Sequence, residues 1–299
     1  MSSSRRLSLI QRLGIGQPRW QAAGSLAIVT GASSGIGREL TKRLTREGCR
    51  VIAVARRAER LDDLAAECGG LLTDPNLGDS QLGNSQRDVG PHGGGIIPIV
   101  GDVTSAATRE TAFEQVRLHN NGRLDLLVNN AGIGGIGPFE LADADRMRQI
   151  MEVNFFAPAD WIRDALPMLR ANADRGPVIC NIGSVLGHRA VPDKSEYSAS
   201  KFAIHGFSDS LRSELASDGI AVTLVSPSTT KSEFFDSLVG TKAGQVSKSI
   251  GSWPPERVAQ AAYSAIRRRR SEVILSAGGK ALVYADRAFP TLMNWILAR

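Results

Sequence analysis

The chain has 299 residues, 42% hydrophobic, 22% charged and 5% aromatic, which excludes disordered, collagenous and coiled-coil chains and leaves an ordinary globular protein of one large or two small domains. The net charge is +6, but residues 1–24 hold Arg5, Arg6, Arg12 and Arg19 and no acid, so little excess remains elsewhere and nucleic acid is not expected as a partner. Cys49, Cys68 and Cys180 lack metal-ligand spacing and no apolar run reaches the roughly 18 residues of a membrane-spanning helix, so a cytoplasmic protein with reduced thiols and no metal is expected.

In chain order, residues 1–24 read as a basic arm. A β-branched strand at Leu26–Thr30 runs straight into Thr30-Gly31-Ala32-Ser33-Ser34-Gly35-Ile36-Gly37, where a helix opens over Gly35–Glu47. Glycines between a strand and a helix let the backbone turn tightly and approach a pyrophosphate, which the free N–H groups of the helix start attract. Gly31, Ser33, Ser34, Gly35, Ile36 and Gly37 are therefore candidate cofactor residues. The second strand, Arg50–Ala55, ends in Arg56 and Arg57 with no acid to accept from a ribose 2′-hydroxyl. Guanidinium groups pair with a 2′-phosphate, so these two arginines favour NADP over NAD.

A helix over Ala58–Glu67 leads into residues 69–95, too long and too rich in Gly, Asn, Asp and Ser for an ordinary connection, and read as a surface insertion. His92 within it has no acidic or cysteine partner at ligand spacing. Next come a strand at Ile96–Val100, a helix at Ser105–His119, a strand at Leu124–Asn129 and a long helix at Asp143–Arg170. Asn154 is conspicuous in that helix, since a polar amide among Met151, Val153, Phe155 and Phe156 needs a partner. A strand at Val178–Gly183 precedes Ser184, whose hydroxyl is placed to hold a substrate oxygen. The helix Ser195–Ser217 carries Tyr197-Ser198-Ala199-Ser200-Lys201. Positions i and i+4 share one helix face, so the Lys201 ammonium approaches the Tyr197 phenol and is expected to favour its phenolate. That tunes Tyr197 as a general acid for carbonyl reduction or a base for alcohol oxidation. A strand at Ala221–Ser226, a helix at Pro255–Arg269 and a strand at Glu272–Leu275 complete an alternation that implies a parallel sheet with helices on both faces. Asp143 and Ser195 suit helix N-caps, and Pro255 a first helical turn.

The glycine motif, Asn129-Asn130-Ala131-Gly132, Asn154, Ser184 and Tyr197/Lys201, in this order, resemble the short-chain dehydrogenase/reductase family over about residues 25–275. The resemblance implies an α/β fold, a doubly wound Rossmann-type parallel sheet of about seven strands, spanning residues 25–278 between the arm and a tail at 279–299. It also implies a tetrad of Asn154, Ser184, Tyr197 and Lys201. In it Tyr197 exchanges the proton and Ser184 orients the substrate oxygen. Lys201 lowers the tyrosine pKa and holds the nicotinamide ribose, while Asn154 anchors a proton-relaying water. Asp102 and Val103 resemble the family's adenine-binding pair. Asn130, Ala131 and Gly132 follow the fourth strand beside the cofactor, and Asn129 caps the central strands. Where the family has Pro-Gly followed by a Thr, this chain has Pro227-Ser228, with Thr230 and Ser232 at the positions that meet the carboxamide; Ser228 puts the turn geometry there in question.

The expected activity is NADP-preferring hydride transfer between an alcohol and a carbonyl compound; the alternative is a redox-sensing dinucleotide-binding protein without turnover. Residues 185–195 and 228–254, with Val185, Leu186, Val191, Phe234, Phe235, Leu238 and Trp253, are expected to line an apolar substrate pocket. A homodimer or homotetramer is expected. In the tail, Leu282, Ala285, Phe289, Leu292, Met293 and Ile296 form an apolar stripe that Pro290 divides into two short helices. Docking on protein, with Tyr284, Phe289 and Trp295 shielded near the substrate entrance or a second subunit, is favoured over peripheral membrane contact.

Overall fold

Apolar runs buried on both sides set the architecture. In a computed structural model of the chain, which describes residues 19–72, 94–230, 238–240 and 252–298, seven strands form one parallel sheet: β1 (Leu26–Thr30), β2 (Arg50–Ala55), β3 (Gly95–Val100), β4 (Leu126–Asn129), β5 (Val178–Ile182), β6 (Ala221–Ser226) and β7 (Glu272–Ile274). Most of the basic arm, His92 with most of the insertion, Ser232, Phe234 and Phe235 lie outside the described residues. The spatial order is β3-β2-β1-β4-β5-β6-β7, all neighbours parallel. The chain thus reverses its direction of winding between β1 and β4, and the carboxyl ends of strands at such a switch point open a crevice for ligands.

Between the strands run α1 (Gly35–Arg46), α2 (Ala58–Glu67), α3 (Ala106–Asn120), α4 (Ala144–Met151), α5 (Ala157–Arg170), α6 (Ser195–Glu214) and α7 (Pro255–Arg267). Alternate side chains of β1 feed opposite layers. Ala27 and Val29 pack with Leu40 and Leu44 of α1 and Val258 and Ala262 of α7, whereas Leu26 and Ile28 pack with Phe113, Trp161 and Leu169 on the other face. Trp161 is fully buried, and its indole N–H finds the Val103 carbonyl at 2.9 Å. Such a ring anchors the layer, and its loss costs about 3–5 kcal/mol.

The single long helix expected over Asp143–Arg170 is in fact two, joined by a π-helical segment at Glu152–Phe156. Pro158 explains the break: it has no N–H to give the carbonyl of Asn154, and the ladder slips so that Ala157 N–H donates to Glu152 O. Asp143 caps α4 through the Arg146 N–H at 2.6 Å. Ser195 is not the cap of α6; Lys194 takes the N-cap position and Ser195 is the first helical residue.

The tail forms α8 (Ala277–Ala288) and α9 (Pro290–Leu297), divided at Pro290 as expected. Its shielding is different. Val283 is buried with Val185 and Ile274, but Tyr284, Phe289 and Trp295 are 55%, 63% and 55% exposed on this chain. Polar anchors help to fix the tail, Arg189 pairing with Asp286 at 2.9 Å and Asn294 at 2.7 Å; of the stripe, Leu282 packs inward while Phe289, Leu292 and Ile296 face outward. Among the described residues no helix is long and apolar enough to cross a membrane.

Candidate active site

A cleft of about 860 Å³ lies at the carboxyl ends of the central strands. One end is built by the turn from β1 into α1. Gly31 has φ +67°, and a Cβ there would stand 2.9 Å from the Ala131 Cα and the Asn130 Nδ2. No side chain could replace this glycine without pushing apart the β1 and β4 turns. Ser34 occupies the N-cap of α1 but makes no side-chain cap bond, which leaves the first N–H groups of the helix facing the cleft. Orphan donors at a helix start are an anion site. Gly31, Ser33, Ser34, Gly35 and Ile36 line the cleft; Gly37 does not. A Cβ on Gly37 would instead collide with Gly31 O and Asn130 Nδ2, so its part is to let α1 pack against the turn.

Arg56, Arg57, Asp102 and Val103 line the same end. Arg57 Nη2 donates to Ser33 Oγ at 3.2 Å. Arg56 is 69% exposed, with Nη1 3.9 Å from Asp102 Oδ2, while Asp102 Oδ1 accepts from the Thr104 N–H and hydroxyl at 2.9 and 2.8 Å. Arg38 is drawn away from the cleft to Glu67, at 2.6 Å. Two guanidinium groups beside an uncapped helix start make this end of the cleft suited to phosphate groups.

The middle is formed by Asn130, Ala131 and Gly132, which line the cleft. Thr30, which the sequence reading passed over, pins this turn: its hydroxyl accepts from the backbone N–H groups of Asn130 and Ala131 at 3.0 and 3.2 Å. Asn129 donates to Asn181 Oδ1, and Asn181 to Ser208 Oγ, both at 2.9 Å, a buried chain from β4 through β5 to α6. Asn154 stands one layer behind the cleft. Its amide accepts from Ile133 N, donates to Ile133 O and donates to Ser200 Oγ, each at 2.9 Å. Ser200 in turn donates to Tyr197 O at 2.7 Å. Asn154 thus finds the partners its apolar surroundings demand, and they tie the β4 turn to the helix of Tyr197.

Ser184, Tyr197 and Lys201 converge on the cleft. Ser184 ends β5 and caps a short turn at Val185–Gly187, accepting from Leu186 N at 3.1 Å, and it hydrogen-bonds the Tyr197 phenol. Lys201 Nζ donates to Ile182 O at 2.9 Å and lies 5.6 Å from the centre of the Tyr197 ring. Burial pushes the Tyr197 phenol up to about 12, against the opposite pull of Ser184, and pushes the Lys201 ammonium down to about 8. No lowering of the tyrosine by the lysine offsets that burial: the ammonium is turned to a backbone carbonyl, and desolvation dominates. Tyr197 stands protonated at neutral pH, in the state of a proton donor.

Pro227, Ser228 and Thr230 line the cleft, and Ser228 has no positive φ, so the turn accepts serine in place of glycine. Ser232 lies outside the described residues. At the far end Val185, Leu186, Val191 and Leu238 line the wall, joined by Leu282 and Leu297 of the tail and by Lys194. Trp253 is not in the cleft; it packs on the core under Arg257, 3.9 Å above its ring.

A seven-stranded doubly wound sheet with an uncapped helix start over a glycine turn defines a nucleotide-binding domain of the Rossmann type. A family model for short chain dehydrogenases matches residues 25–81 and 77–243, and the chain belongs to that family of oxidoreductases. It is 33% identical over 295 residues to the dehydrogenase/reductase SDR family member 7B of Xenopus laevis, covering 97% of this chain and 85% of that one. Among solved structures, a short chain dehydrogenase from Burkholderia cenocepacia J2315 in complex with NADP superposes with a TM-score of 0.71 at 25% identity, covering 93% of this chain and 99% of that one. A short chain dehydrogenase/reductase from Burkholderia phymatum in complex with NAD shares the fold, with a TM-score of 0.75 at 20% identity over 91% of this chain and 96% of that one.

Proposed function

We propose that this oxidoreductase transfers a hydride between NADP(H) and an alcohol or carbonyl compound, with Tyr197 exchanging the proton. The observation that carries the reading is the meeting of Ser184, Tyr197 and Lys201 in one cleft with the Gly31–Gly37 turn. The nicotinamide supplies or accepts the hydride at the carbonyl carbon. In reduction, Tyr197 gives its phenolic proton to the oxygen as the C=O π bond breaks; in oxidation its phenolate takes that proton back. Ser184 holds the substrate oxygen beside the phenol. Lys201 opposes the negative charge left on Tyr197, and Asn154 keeps the segments carrying these groups in register through Ile133 and Ser200.

The preference for NADP rests on Arg56 and Arg57, which offer cationic donors where a ribose 2′-phosphate would lie and no acid to bind a 2′-hydroxyl. Gly31, Ser33, Ser34, Gly35, Ile36, Asp102, Val103, Asn130, Ala131, Gly132, Pro227 and Thr230 complete the cofactor wall. The leucines and valines at the far end favour an apolar substrate, and Lys194 adds one cation to that wall, suiting a substrate with a polar or anionic end. Self-association is part of this reading, supported by the exposed Phe139, Leu141, Met147, Phe156 and Phe202. The test is to incubate purified protein with NADPH or NADH and a panel of ketones, aldehydes, steroids and quinones. Turnover with NADPH that Ser184→Ala abolishes is the expected result; tight dinucleotide binding with no turnover on any of them favours a sensor instead.

A further inference from the structure

Outside the cleft, three segments bring together side chains that the hydride chemistry does not use. His188 follows the Val185–Gly187 turn, His205 lies on α6 and Glu272 opens β7. One ligand atom from each lies within 4.8 Å of the others. His188 Nε2 is 3.0 Å from Glu272 Oε1 and 3.0 Å from Ser226 Oγ, and the two imidazole centres lie 4.3 Å apart with their planes tilted by 54°. A hollow of about 250 Å³ opens onto both histidines.

The protonation pattern is readable. His205 Nδ1 lies 2.9 Å from Gly187 O, and a carbonyl only accepts, so Nδ1 carries a proton and Nε2 is the atom that can turn to a metal, with Asp209 Oδ2 3.6 Å from it at the edge of the hollow. A histidine held this way by a backbone carbonyl is the usual support behind a metal-bound imidazole. The Glu272 carboxylate points into the cluster, with Oε1 turned to His188 Nε2. Its Oε1 is shut off from solvent. An anionic oxygen in that position gains from a cation.

We propose that His188, His205 and Glu272 form a binding site for a divalent transition-metal ion of the zinc class, with water from the adjoining hollow completing four-fold coordination. Two imidazoles and one carboxylate are a donor set for zinc, nickel or copper rather than for magnesium or calcium. Bonds of roughly 2.0–2.1 Å set ligand atoms about 3.3 Å apart, so small side-chain rotations from the present spacing suffice. The exposed Arg287, whose Nη2 is 3.5 Å from His188 Nδ1, opposes a dication and swings into solvent on loading. The bound ion cross-links α6, β7 and the turn that follows Ser184.

The test is calorimetric titration of metal-free full-length protein with zinc chloride, together with thermal melts. One ion per chain and a raised Tm are expected. His205→Ala and Glu272→Gln each weaken binding about tenfold or more and remove the rise in Tm, while His119→Ala leaves both unchanged and magnesium produces neither effect. Glu272→Gln keeps the side-chain shape, so it reads out the site even where loss of His205 disturbs α6. Wild-type protein that takes up no zinc, or variants at His205 and Glu272 that bind it as the wild type does, overturns the assignment. Neither readout depends on turnover, so the result stands apart from the reading of the cleft.

Discussion

Arg146 and Glu196 meet as a buried ion pair between the first turn of α4 and the residue immediately before Tyr197. Arg146 Nε and Nη2 both donate to Glu196 Oε1, at 2.9 and 2.6 Å, and Ser195 Oγ donates to Oε2 at 3.0 Å. Both side chains are almost wholly buried. Arg146 Nη1 reaches further, to Gly240 O at 3.3 Å, beside Leu238 of the substrate wall. One guanidinium therefore holds the start of the tyrosine helix and the stretch 238–240 that carries Leu238.

Removing one partner of a buried pair strands the other charge, at a cost of about 3–5 kcal/mol. Arg146→Met is expected to destabilise on that scale in denaturant unfolding, and Arg146→Met with Glu196→Leu by much less. Because the hydrogen bonds outweigh burial and hold the Glu196 carboxyl below its ordinary range, the pair's stabilisation is present above that range and lost as pH falls through it. Equal losses in the single and double variants would show that the pair is not coupled.

Tyr197→Phe removes only the ionisable hydroxyl. A fall of about a hundredfold or more in kcat is expected with NADPH binding nearly unchanged. Wild-type turnover in this variant would take Tyr197 out of the proton transfer.

The pH profile follows from Lys201. Its ammonium, pushed down to about 8 by burial, is charged below that pH and neutral above it. Carbonyl reduction leaves negative charge on Tyr197, so kcat/KM for reduction is expected to fall as pH rises past about 8. A profile flat from pH 7 to 10 would mean that the lysine charge takes no part.

Arg56→Ala with Arg57→Ala should raise the Michaelis constant for NADPH at least about tenfold and leave that for NADH nearly unchanged, since only NADPH carries the phosphate that guanidinium groups meet. The pair is needed because Arg57 is also fastened to Ser33. Wild-type preference for NADH would refute the assignment outright.

Deleting residues 280–299 uncovers Val185 and Ile274, which now pack on Val283, and removes Leu282 and Leu297 from the wall. A rise in substrate KM larger than that for NADPH is expected, with increased aggregation in light scattering. A soluble truncated protein of unchanged kinetics would show the tail to be dispensable.

Local spacing made much of this legible. A parallel sheet buried on both faces writes itself as short β-branched runs, and the i, i+4 relation of Tyr197 and Lys201 is a property of any helix. What depended on distant partners was not legible. The carbonyl of Ile182 that claims Lys201, the pairing of Arg146 with Glu196 and the approach of His188, His205 and Glu272 all join residues far apart in sequence. The π segment had a local signal, Pro158 four residues beyond Asn154, but apolar periodicity alone reads straight through it. In the tail, periodicity says which positions are apolar and not what covers them: Leu282 packs inward, while Phe289, Leu292 and Ile296 stay exposed on this chain.

The cleft's cofactor end begins with the first strand, and its substrate end is finished by the two helices of the tail. The Gly31–Gly37 turn, Arg57 and Asn130 are translated early, whereas Leu282 and Leu297 follow the last strand. The other members of the substrate wall, Val185, Leu186, Val191 and Leu238, come from earlier segments, so the tail completes that wall and does not create it. Changes confined to the tail can therefore alter which substrate fits while leaving the residues that cradle the dinucleotide untouched.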